Sequence, residues 1–96
     1  MKIDLNFPPF QQDLFSLDKT QLTAFVKSVK IINKMDLSQV RQSSGLNLEK
    51  IKNLKTSNGK TLYSIRMSKS FRAVICIEDD FIRFISLHPD HESAYK

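Results

Sequence analysis

Between Leu62 and Tyr95 the chain reads LYSIRMSKSFRAVICIEDDFIRFISLHPDHESAY, and its chemistry-bearing residues are Arg66, Arg72, His88, Asp90, His91 and Tyr95. Guanidinium groups are rigid forks that clamp phosphate oxygens, and imidazole exchanges protons near neutral pH. Together they describe a site that holds a phosphodiester while a proton moves, so nucleic acid is the expected substrate. Asp90 suits orientation of an imidazole ring. Tyr95 suits stacking on a base, donating a hydrogen bond, or anchoring the C-terminus through ring burial. Cys76 is the only cysteine and lies in an apolar run, which excludes a disulfide framework and a zinc site. No metal and no cofactor is expected.

The net charge of +5 matters less than where it falls. Lys50, Lys52, Lys55, Lys60, Arg66, Lys69 and Arg72 follow one another with no acid between Lys50 and Ile77. Clustered cations of this kind are the electrostatic footprint of polyanion binders, and they also occur on solvated faces balanced by acids elsewhere. With 96 residues, the chain is expected to make one domain over 1–96 with one core. No apolar run reaches membrane-spanning length, and the start MKIDLNF carries charge where a signal peptide needs apolar residues. A cytoplasmic location is therefore expected.

The elements that position these residues follow from periodicity. Ile3, Leu5 and Phe7 alternate with polar neighbours, predicting a half-buried strand over Lys2–Phe7 that Pro8-Pro9 ends. Asp18 with Gln21 three residues on is a capping box, followed by Leu22, Phe25, Val26, Val29 and Ile32 at helical spacing. A smaller helix is predicted from Asp36 towards Gly45, with Leu37 and Val40 inward. Leu46, Leu48, Ile51 and Leu54 pin the lysine-rich connection to the body, and Ser57-Asn58-Gly59 signals a turn. Strands separated by turns then run to the end, with Glu78-Asp79-Asp80 dividing the last two. The predicted order is β-α-α-β-β-β, an α+β domain with helices on one face of an antiparallel sheet and a short C-terminal turn or helix.

Strand register decides what the arginines meet. A three-residue loop Ser68-Lys69-Ser70 sets Met67 opposite Phe71, Ile65 opposite Ala73 and Tyr63 opposite Ile75. A two-residue turn at Asp79-Asp80 adds Ile82 and Phe84 to that apolar face. The other face then receives Arg66 directly opposite Arg72, with Ser64 near and Arg83 further out. Two opposed arginines repel unless an anion sits between them, either a phosphate or Glu49, Glu78 or Glu92. The alternative two-residue turn at Ser68-Lys69 buries an unpaired Arg66 in the core, at a cost comparable with the stability of the whole domain.

The ordered series from Leu46 to Tyr95 resembles the RelE/ParE superfamily of toxins from bacterial type II toxin–antitoxin modules. It comprises a Leu-Lys-rich connection, Leu-Tyr-x-Ile-Arg, a short loop, Arg-x-Val, an Asp-Asp turn, a hydrophobic strand and a His-rich ending with a closing Tyr. The first half fits in element order alone. The RelE branch implies a RelE-like fold and a metal-independent mRNA interferase that cleaves in the ribosomal A site and is silenced by a cognate antitoxin. Carried onto this chain, the resemblance gives Arg72 the transition-state phosphate and Arg66 its positioning. Lys52, Lys55 and Lys60 are the RNA-backbone contacts. His91 is first choice for proton transfer, His88 second, and Tyr95 a stacking or relay group. The His-Pro-Asp-His ending departs from other members and leaves base and acid open. The alternatives are a ParE-like DNA gyrase inhibitor without chemistry, and an inactive RNA-binding member.

Overall fold

The computed structural model describes residues 1–89. Strand β1 (Lys2–Asp4) leads into helices α1 (Pro8–Phe15), α2 (Lys19–Asn33) and α3 (Leu37–Gln42). Strands β2 (Glu49–Lys55), β3 (Thr61–Arg66), β4 (Arg72–Glu78) and β5 (Phe81–His88) complete an α+β arrangement. The sheet order is β1-β5-β4-β3-β2, antiparallel except that β1 runs parallel to β5.

The predicted capping box at Asp18 forms, and Asp36, where the smaller helix is predicted to start, forms another. Asp18 accepts from the Gln21 amide at 2.8 Å, Asp36 from the Gln39 amide at 2.8 Å, and each glutamine returns the bond to its cap. The register is as the loop lengths require, with Tyr63 on Ile75, Ile65 on Ala73 and Arg66 on Arg72. The Asp79-Asp80 turn is tight, with Glu78 paired to Phe81 and Asp79 at φ 53.

The predicted β-α-α-β-β-β order is corrected at two places. Strand β1 stops at Asp4 rather than Phe7, and the prolines expected to end it instead start α1. Proline lacks the amide that the first helical turn leaves unpaired anyway, so Pro8 at the first position favours a helix. What holds α1 is Phe10, fully buried with ring centres 5.8 Å from Phe25 and 5.6 Å from Phe84. The lysine-rich connection is itself an edge strand, β2, interrupted by a bulge between Lys50 and Lys55 with Asn53 at φ 63. Lysines and a bulge on an edge strand also discourage edge-to-edge pairing with another chain.

The main core joins Phe10, Phe25, Ile32 and Val40 of the helices to Ile65, Ala73, Ile75, Ile82 and Phe84 of the strands. Leu22 and Val26, predicted to pack inward, are 43% and 41% exposed. The inward stripe of α2 is rotated towards Ser28, whose buried hydroxyl donates to the Met67 carbonyl at 2.8 Å. A second apolar cluster contains strand residues only: Leu62, Val74 and Cys76, with Ile51 and Ile85 against it. Among the described residues, no helix is long and apolar enough to cross a membrane.

Candidate phosphate and nucleic-acid site

The strand registers set Arg66, Arg72 and His88 in one row across β3, β4 and β5. Arg66 is the cross-strand partner of Arg72, and Arg72 is the partner of His88. With strands about 4.8 Å apart, the row places two guanidinium stems and an imidazole stem within about 10 Å.

His88 reaches this row because β5 carries a bulge. Val74 pairs with Ser86 while Ile75 pairs with Phe84, leaving Ile85 as an extra residue. Simple alternation from buried Phe84 would send Ser86 and His88 to the helix side. The extra residue reverses the phase, so Leu87 enters the main core while Ser86 and His88 stand beside Arg72 and Val74. The Ser86 hydroxyl is 2.8 Å from Nε2 of His88. Burial of the ring lowers the His88 pKa, and the Asp13 carboxylate partly opposes that shift. Asp13, on the unpredicted helix α1, accepts the Leu87 amide at 2.9 Å and so caps an edge of β5 beyond its pairing with β1.

The two arginines differ sharply in environment. Arg66 is exposed, whereas Arg72 is only 1% exposed. Nη2 of Arg72 donates to the Ser64 hydroxyl at 2.7 Å and to the Asn47 carbonyl at 3.1 Å. Asn47 presents that carbonyl from a left-handed backbone at φ 46, a conformation asparagine tolerates better than most residues. Nε of Arg72 is buried and has no hydrogen-bond partner among the described residues. Among the described residues, Arg72 forms no ion pair with a carboxylate, so Glu49 and Glu78 do not neutralise it. A buried cation left this way raises the local positive potential in a low-dielectric setting.

The remaining cations divide in two. Arg83, at the other end of the sheet, is held by Asp4 at 2.8 Å and Glu78 at 3.3 Å, and Lys60 reaches Glu78 at 3.4 Å. The Arg83 hydrogen bond in turn holds the Asp4 carboxyl below its ordinary pKa. Lys52 and Lys55 are exposed on β2 with no ion pair among the described residues. His91 and Tyr95, with Asp90, lie outside the described residues. Sequence reasoning missed Asn47, Asp13 and Ser86. Asn47 acts through its backbone carbonyl, Asp13 through a carboxylate on the unpredicted helix, and Ser86 depends on a bulge that leaves no mark in the alternation.

No family profile matches the chain, and no curated protein sequence does. Among solved structures, the crystal structure of a copper-bound mutant toxin from Helicobacter pylori superposes with a TM-score of 0.52. It is 18% identical to this chain, and the match covers 98% of each. At that identity the likeness concerns the fold.

Proposed function

We propose that the chain is a RelE-like toxin of a type II toxin–antitoxin module. In this reading it is an mRNA interferase that cuts messenger RNA without a metal ion. The observation that carries this is the Arg66–Arg72–His88 row, in which a buried guanidinium has an unpartnered Nε and no carboxylate among the described residues. The overall likeness to a solved toxin supports it, as do the exposed lysines of β2, the edge strand next to β3, which run away from the row towards Thr61.

In the proposed reaction the RNA 2′-hydroxyl attacks the adjacent phosphorus while the bond to the 5′-oxygen breaks. A base removes the 2′-proton and an acid protonates the departing oxygen, leaving a 2′,3′-cyclic phosphate and a free 5′-hydroxyl. Arg66, exposed, meets the phosphate first. Arg72 stabilises the charge that develops on it, a shift of the covering residues bringing Nε within reach. His88 is the proton-transfer group that faces this row. His91 and Tyr95 remain candidates for the second proton step, and Lys52, Lys55 and Lys60 for backbone contacts, Lys60 after release from Glu78. The partners of this reading are messenger RNA, the ribosome and a cognate antitoxin with an acidic or amphipathic segment.

The test maps messenger RNA ends in a cell-free translation reaction with the parent chain, Arg66→Ala and His88→Ala. New ends that require ribosomes and disappear in the variants support the reading. Intact messenger RNA with the parent rejects it, and inhibition of DNA gyrase in a supercoiling assay would install the non-catalytic alternative.

A further inference from the structure

The sheet carries a second feature on the same side as Arg72, at the opposite end of β4. A cleft of about 310 Å³ opens there between Phe7, which follows β1, and the turn joining β2 to β3. Its floor is Leu62, Cys76 and Ile85, part of the second apolar cluster. Its polar side is the row Lys60–Glu78–Arg83, linked at 3.4 Å and 3.3 Å and tied at its far end to Asp4. Asn58, in the turn, also lines the cleft, and its side-chain amide makes no hydrogen bond among the described residues.

We propose that this cleft is a nucleotide subsite, taking one unstacked base of a single-stranded RNA whose flanking phosphodiester lies over the Arg66–Arg72–His88 row. The proposal rests on the ribonuclease reading and gives it a source of sequence preference.

Three observations select a base. The volume sits at the lower end of ligand pockets, about 300–1,000 Å³, which suits one ring system better than a run of peptide side chains. An apolar floor and an exposed phenyl wall suit a flat ring, and Phe7 is 37% exposed. Donors on Lys60 and Arg83 stand beside an acceptor on Glu78, with both kinds on Asn58. That mixture matches the edge of a splayed-out base, which proteins read by hydrogen bonds. Lys55, Lys60 and Arg83 outnumber Glu78 around the opening, which suits a polyanionic strand. From Cys76 to Arg72 is four residues along β4, about 13 Å, so the bound base belongs to a neighbour of the scissile linkage.

The test uses the full chain and two fluorescent RNA hexamers, one intact and one with an abasic nucleotide at a single position, moved along the strand. At one position the parent is expected to bind the intact strand about 5- to 150-fold more tightly, the range equivalent to about 1–3 kcal/mol for one stacked base. Phe7→Leu and Asn58→Ala, both at exposed positions, should shrink that ratio and flatten nucleotide preference at the cleavage site. Thermal unfolding confirms that both variants are folded. Equal binding of intact and abasic strands at every position overturns the subsite, as does failure to bind either strand. Cleavage with a preference indifferent to both substitutions overturns the subsite and leaves the ribonuclease reading standing. Base-dependent binding without cleavage does the reverse. If an acidic peptide binds the parent, loses affinity in both variants and leaves RNA binding unaffected, the cleft is a protein-docking site and the proposal fails.

Discussion

Replacing Arg72 with methionine separates a functional cation from a structural one. The substitution removes two hydrogen bonds from Nη2, to Ser64 at 2.7 Å and to Asn47 at 3.1 Å. Each charge-assisted bond is worth about 1.5–3 kcal/mol. Against that loss, it removes a buried Nε that has no partner among the described residues, a defect of about 1–3 kcal/mol. It also removes the desolvation of a cation, several kcal/mol more. Methionine fills much of the same stem volume and adapts to irregular gaps. The Asn47 carbonyl and the Ser64 hydroxyl lose this donor as well, a further cost, so the opposing terms cancel to within about 2 kcal/mol of zero. At this chain length each kcal/mol moves the unfolding midpoint by about 4–8 °C. Arg72→Met is therefore expected to melt near the parent temperature, within the shift that about 2 kcal/mol produces, followed by circular dichroism at fixed pH and salt. Its ribosome-dependent cleavage is expected to fall about 10²–10³-fold, the usual effect of losing one donor to developing charge. A variant destabilised by more than about 2 kcal/mol would show that the guanidinium is structurally compensated. A stable variant that cleaves like the parent would remove Arg72 from the chemistry.

Three further outcomes are expected. The unfolded chain holds a proton on His88 near its ordinary pKa while the folded chain, with that pKa lowered by burial, does not. The folded state therefore loses stability as pH falls through about 6.5 towards the folded value; His88→Gln should flatten urea-midpoint profiles there, and Asp13→Asn, removing the carboxylate that opposes the shift, should steepen them. Burial also raises the Cys76 thiol, so a disulfide reagent should label the native chain far more slowly than the urea-unfolded one, and rapid native labelling would contradict the 1% exposure. Asp18→Ala deletes one side of a complete capping box and should cost about 0.5–2 kcal/mol in denaturant unfolding, so an unchanged midpoint would mean that α2 is held by packing alone.

Local chemistry made much of the fold legible in advance. Capping at Asp18 and Asp36 acts within a few residues, so both helix starts could be read directly. The Arg66–Arg72 pairing also followed from sequence, because only the three-residue loop keeps Arg66 out of the core while Ile65 and Ala73 enter it. Helix α1 was hidden because Pro8-Pro9 ends a strand and starts a helix equally well, and the choice lies in the distant contacts of Phe10 with Phe25 and Phe84. The lysines of β2 could be counted, but their strand is recruited by pairing with β3 rather than by any apolar alternation of its own.

For the candidate site, the residue types belong to the sequence and their meeting belongs to the tertiary structure. Arginine, histidine and the loop lengths set what chemistry is available and that Arg66 faces Arg72. The depth of Arg72 depends on Ser64 and on the left-handed Asn47, whose carbonyl arrives from another segment. The place of His88 depends on a single unpaired residue, Ile85, which shifts the phase of β5 by one. Leu87 enters the core when that phase shifts, and its burial is a property of the packed molecule that alternation along one strand does not contain.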